Sequence, residues 1–91
     1  MAEPDCTPIV RAPWALTPPY DAKDSRLFKR RGESHADAHQ RLVALKLAVL
    51  LAALDGVPVS DYERDILSWV ACWETHTVAV LAALLRRARA A

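Results

Sequence analysis

Glycine is nearly absent from this chain: two residues in 91, Gly32 and Gly56. A β-sandwich or barrel needs a tight turn about every 8 to 12 residues, and six prolines do not fill that shortage, so an all-β fold is nearly excluded. The same scarcity excludes a glycine-rich phosphate cradle. Cysteine is also sparse. Cys6 and Cys72 fall short of the four to eight typical of a disulfide-stapled secreted mini-protein, so both are read as free thiols. Charge of one sign is missing too: 12 Lys and Arg stand against 11 Asp and Glu, which argues against whole-molecule attraction to nucleic acid or to an anionic membrane. No hydrophobic run is long. Leu42 to Leu54 is the longest, broken only by Lys46; at ~1.5 Å per residue it covers about 20 Å of a hydrocarbon core ~30 Å thick. It reads as a buried helix of the fold, and no membrane partner is expected. The start, Met1-Ala2-Glu3-Pro4-Asp5-Cys6, is acidic and interrupted by proline, unlike a basic-then-apolar leader, and the expected location is cytoplasmic. At this length there is room for one domain and none for a cofactor domain beside a substrate domain.

What is present in quantity is alanine, leucine and valine, 17, 12 and 8 residues, a helix-forming composition. Composition shifts near residue 34. Five of the six prolines (Pro4, Pro8, Pro13, Pro18 and Pro19) lie in the first nineteen residues, where each removes a backbone donor and pushes its predecessor toward extended conformations. Residues 1–34 are therefore expected to form an extended, partly basic arm, packed on the domain or partly disordered. Ile9, Val10, Trp14, Leu16, Tyr20, Leu27 and Phe28 are spaced along it as anchors. Residues 35–91 form the helical domain.

Three helices are predicted, at about 36–54, 61–73 and 76–90. Ser34 caps the first, and Gly56 with Pro58 stops it. Its second half is apolar around most of its circumference, so it needs cover on several sides. Ser60-Asp61-Tyr62-Glu63 is a full capping box for the second. Tyr62, Ile66, Trp69 and Trp73 follow at spacings of four, three and four, one helical face that Leu67 and Val70 widen, and Trp69 and Trp73 are read as core anchors. Glu74-Thr75-His76-Thr77 favours a cap over a helix interior, with one kinked helix as the alternative. The third helix ends on Arg86, Arg87 and Arg89, where positive charge meets the carbonyl end of the helix dipole favourably.

Candidate chemistry is thin. His35 and His39 are four apart, as are Cys72 and His76, and the four would give zinc one sulfur and three nitrogens. The polar setting of the histidines and the apolar neighbours of Cys72 favour no metal at all, and no cofactor is expected. Cys72 with His76, or Ser25, Ser34, Ser60 or Ser68 with a histidine, would have to supply any hydrolytic pair. None lies in a recognisable nucleophile frame, so no catalytic residue is assigned and the protein is not expected to be an enzyme. Two basic clusters, Arg26, Lys29, Arg30 and Arg31 around Phe28, and Arg86, Arg87 and Arg89, are the possible nucleic-acid contacts. Glu63 to Val70, a polar turn and Thr77 to Leu85 look like the first two helices of a helix-turn-helix, but the chain stops where a recognition helix would begin.

The C-terminal third, with Ile66-Leu67-Ser68-Trp69, Trp73-Glu74-Thr75, Thr77-Val78-Ala79 and Arg87-Ala88-Arg89, resembles the end of small uncharacterised actinobacterial proteins. That resemblance implies an actinobacterial or actinophage source and a compact helical fold, and it carries over no functional residue. The reading as a whole is an all-α three-helix bundle with an extended Pro-rich arm. The expected function is a small non-enzymatic helical interaction or regulatory protein, a homo-oligomer or bound to a protein partner. Self-association is expected through the Leu42 to Leu54 helix, with Leu42, Leu45, Val49 and Leu50 as the contact set. A DNA-binding accessory protein is the alternative, with nucleic acid possible but not favoured.

Overall fold

Both glycines stand where the backbone turns left-handed, Gly32 at φ 80° and Gly56 at φ 81°, so a side chain at either would be strained. They bracket the first helix. The structure is a computed structural model describing residues 8–90, and it contains three α-helices and no strand among those residues. Helix α1 spans His35–Ala53 and begins where the Ser34 hydroxyl accepts the Asp37 amide at 3.0 Å. At its other end Arg89 donates to the Ala53 carbonyl at 3.0 Å, filling one of the acceptors that a helix terminus leaves open.

Helix α2 spans Asp61–Val70, three residues shorter than expected. The capping box is complete: the Ser60 hydroxyl accepts from the Glu63 amide at 3.1 Å, and the Glu63 carboxylate accepts from the Ser60 amide at 2.9 Å. Its last turn tightens, with the Cys72 and Trp73 amides donating to Trp69 and Val70 carbonyls three residues back. Trp73 therefore lies in the turn and not in the helix. Helix α3 spans Thr75–Ala90, so the second and third helices are separate.

Helix α1 is the central element, packed along α3 and, less extensively, against α2. The core joining them is built mostly from small side chains: Ala53, Ala71, Ala79 and Ala82 with Val49, Leu50, Val78 and Leu16. Alanine at facing positions lets helix axes approach toward the short end of the usual ~8 to 10 Å range.

Leu16 comes from the arm and is fully buried. Its amide donates to Asp24 at 3.3 Å; the same carboxylate accepts the Arg26 amide at 3.1 Å, starting a 3-10 turn at Ser25–Leu27. The Arg26 guanidinium closes on Asp24 at 2.7 Å and on the Thr17 hydroxyl at 2.9 Å. That hydrogen-bonded guanidinium holds the Asp24 carboxyl below its ordinary pKa. Tyr20 and Leu27 pack against the core, and the Tyr20 hydroxyl accepts a hydrogen bond from Arg86 of α3. Further along, Arg41 of α1 donates to the Arg26 and Phe28 carbonyls at 2.7 and 2.9 Å and to Glu33 at 2.8 Å. The arm from residue 8 to 34 is thus sewn to the helices. Val10, Trp14 and Phe28, expected as anchors, are exposed instead. The start of the chain, with Pro4 and Cys6, lies outside the described residues.

Candidate functional site

Helix α2 carries two apolar arcs, and the fold uses only one. Leu67 and Val70 pack on the core, followed by the buried Ala71. The other arc, expected in the core, faces solvent: Tyr62 is 74% exposed, Trp69 60%, Ile66 45% and Trp73 41%. About 100° per residue separates successive side chains on a helix, which centres the stripe of Tyr62, Ile66 and Trp69 about 100° from the mean direction of Leu67 and Val70. The Trp69 and Trp73 rings meet edge to face, centroids 5.1 Å apart, and continue that stripe past the helix end. Beside it the loop after α1 leaves Val57 exposed, and a groove of about 320 Å³ runs between that loop and Ile66.

The expected self-association set on α1 is placed differently. Val49 and Leu50 are buried in the chain's own core, and Leu42 and Leu45 are half-buried. The exposed face of that helix is Ala44, Ala48 and Ala52. Its apolar circumference is covered by α3, by α2 and by Leu16 of the arm, so Val49 and Leu50 offer nothing to a second copy.

A second concavity, about 700 Å³, opens between α1 and the turn that joins α2 to α3. His39, Leu42, Val43 and Lys46 line it from α1, and Cys72, Trp73, Glu74 and Thr75 from the turn. Lys46, the single charge inside the long apolar run, is only 9% exposed, and its ammonium donates to the Trp73 carbonyl at 2.7 Å. Burial pushes its pKa down, opposed by the nearby Cys72 and Glu74.

The zinc set does not assemble. His39 and Cys72 reach the same cleft, but the break between α2 and α3 removes the helical face that Cys72 and His76 were to share. Among the described residues no three donors converge on a metal position. Nor is there a nucleophile paired to a histidine there: Ser34 and Ser60 serve as caps, Ser68 donates to the Arg64 carbonyl and the Cys72 thiol to the Ser68 carbonyl.

The basic clusters are largely occupied by the fold. Arg26 is paired with Asp24, Arg86 reaches Tyr20, Arg89 closes α1, and Arg87 is half-buried. Lys29, Arg30 and Arg31 remain exposed. The Glu33 carboxyl near them is held at about 2 by the Arg41 guanidinium, with help from the Arg30 amide. Helices α2 and α3 both pack chiefly on α1, so they do not form the mutually packed pair of a helix-turn-helix.

Comparison of the chain with family models, with curated proteins and with solved structures finds no match. The resemblance of the C-terminal third to small actinobacterial proteins rests on its residues alone.

Proposed function

We propose that the protein is a small non-enzymatic helical interaction protein that self-associates through the α2 stripe rather than through the Leu42 to Leu54 helix. The observation that carries this reading is the exposure of Tyr62, Ile66, Trp69 and Trp73 together. The four-three spacing of Tyr62, Ile66 and Trp69 is the spacing with which one helix seats on another, and Trp73 extends the stripe into the turn. Large aromatic side chains carry roughly 150 to 250 Å² each, so at their observed exposures the four present about 500 Å². Contiguous apolar area of that size usually marks an interaction site.

Two copies meeting face to face would bury about 1,000 Å² from the stripes alone, and the Val57 rim brings the total to the lower edge of specific interfaces, ~1,200 Å². A two-fold arrangement is the simplest closed one. With α2 helices antiparallel, the acidic first turns carrying Asp61 and Glu63 lie at opposite ends and do not oppose each other. The expected species is a dimer with a micromolar dissociation constant. Exposed, free Cys72 suits a reducing, cytoplasmic setting.

Sedimentation equilibrium from about 1 to 500 µM tests the proposal. The wild-type chain should move from monomer to dimer mass across that range. Trp69→Ser should weaken dimerisation by about 30-fold or more while far-UV circular dichroism is unchanged, the size expected for an aromatic hot spot. A strict monomer at the highest concentration would end the self-association reading. Retarded migration of random duplex DNA at low salt by micromolar protein would favour the nucleic-acid alternative, through Lys29, Arg30 and Arg31.

A further inference from the structure

Lysine is rarely buried to this degree unless it is paired with an acid. Among the described residues the ion pairs are Asp24 with Arg26 and Glu33 with Arg41, and neither involves Lys46. The acid nearest in sequence to its acceptor is Glu74, whose carboxylate is turned back to α3, where it accepts from the Thr77 hydroxyl at 3.2 Å. An ammonium carries three N–H donors, and the protein gives this one a single neutral acceptor, the Trp73 carbonyl. A nine-tenths buried cation that lines a cleft of about 700 Å³ and has donors to spare is half of a charge-assisted contact. The walls beside it define the rest of the guest. Leu42, Val43 and Trp73 are apolar, Glu74 adds a carboxylate at the turn that disfavours a guest with more than one negative charge, and the volume lies within the ~300 to 1,000 Å³ of small-molecule sites.

We infer that this cleft binds a small monocarboxylate with a compact apolar body, the carboxylate taking the spare N–H groups of Lys46 and the body lying against Leu42, Val43 and Trp73. A dicarboxylate or phosphate would bring more charge than one ammonium balances, and the second charge would lie against the apolar walls. A neutral compound of the same shape would leave the spare donors of the ammonium without a charged acceptor. The site stands independently of α2 self-association, although Trp73 borders both surfaces.

Phenylacetate is the probe, with phenylacetamide as its neutral counterpart, followed by amide shifts in two-dimensional NMR of the full chain. Phenylacetate should produce saturable shifts at Leu42, Lys46, Trp73 and Thr75 in the sub-millimolar to millimolar range, and phenylacetamide should bind at least about ten-fold more weakly, the scale of a hydrogen bond to a charged group. Lys46→Met keeps the stem that packs on α1 and should remain folded, because exchanging a buried charge for a hydrophobe of similar volume is commonly tolerated; it should lose the phenylacetate shifts. Repeating the titration in Trp69→Ser should leave them in place, which separates this site from the dimer face. Equal binding of acid and amide would overturn the inference, even where Lys46→Met proved unfolded. Absence of saturable shifts at ~10 mM phenylacetate, or unchanged binding in a folded Lys46→Met protein, would also overturn it.

Discussion

Leu16→Ala asks whether a proline-rich arm is part of the hydrophobic core. Leu16 is fully buried among Val49, Leu50, Val78 and the alanines of α1 and α3. Truncation removes three carbons at about 0.8 kcal/mol each, ~2 kcal/mol in transfer alone. The space left behind cannot close fully, because it is bounded on the far side by helices already in close contact, and a cavity term brings the total to about 3 kcal/mol. A chain of 91 residues holds ~5 to 13 kcal/mol in all, so the loss is about a quarter to three-fifths of it. The melting temperature should fall by roughly 12 to 18 °C. Urea unfolding followed by circular dichroism measures this directly, and the slope against urea should be unchanged if the loss is of packing alone. Trp14→Ala is the control two residues away, larger in volume but mostly in solvent, and should cost less than about 1 kcal/mol. A Leu16→Ala cost below ~1 kcal/mol, or an equal cost at Trp14, would refute the placement of the arm.

Two further outcomes follow from local geometry. Ser60→Ala removes the hydroxyl that accepts the Glu63 amide and should cost about 1 kcal/mol; since α2 has no buried residue, hydrogen exchange should quicken across residues 61–70 and hardly at all in α3. Glu33 titrates at about 2 against an ordinary 4.5, so its contact with Arg41 stabilises the fold above pH ~4.5 and that contribution is lost as the pH falls toward 2. Carboxyl NMR should find Glu33 near 2 in the wild type and back toward 4.5 in Arg41→Ala, and Glu33→Gln should remove that part of the acid dependence; a Glu33 pKa near 4.5 in the wild type would refute the contact.

The helix starts were legible because they are local chemistry. Ser34 and Ser60 each satisfy an amide three residues on, and Gly56 ends α1 by a backbone conformation other residues avoid. The end of α2 was misjudged by three residues, since Trp73 continues the apolar spacing after the hydrogen-bond ladder has stopped. Tyr20 was recognisable as an anchor from its type and position, but the Asp24 link between the Leu16 amide and the Arg26 guanidinium was not, because it joins residues eight apart through one carboxylate. Lys46 gave a usable signal: a lone cation on a helix apolar around most of its circumference has little solvent to reach. Its lack of a carboxylate partner depends on where Glu74 turns, which spacing does not reveal.

The aromatic stripe was misplaced for a reason that bears on function. Periodicity identifies an apolar face but does not rank two such faces on one helix, and α2 has both Leu67 with Val70 and Tyr62 with Ile66 and Trp69. The ranking is decided by the partner surface. α3 brings Ala79, Ala82 and Ala83 to the core, where they meet Ala53 of α1 and Ala71 beside Val49 and Leu50. A core built so largely of alanine has little room for an indole, so the smaller arc of α2 enters and the larger one is turned out. Expecting the largest apolar side chains to be the most buried fails when the core is made of the smallest. The same close packing that gives a short chain a continuous interior therefore displaces its tryptophans onto the surface, where an association site needs them.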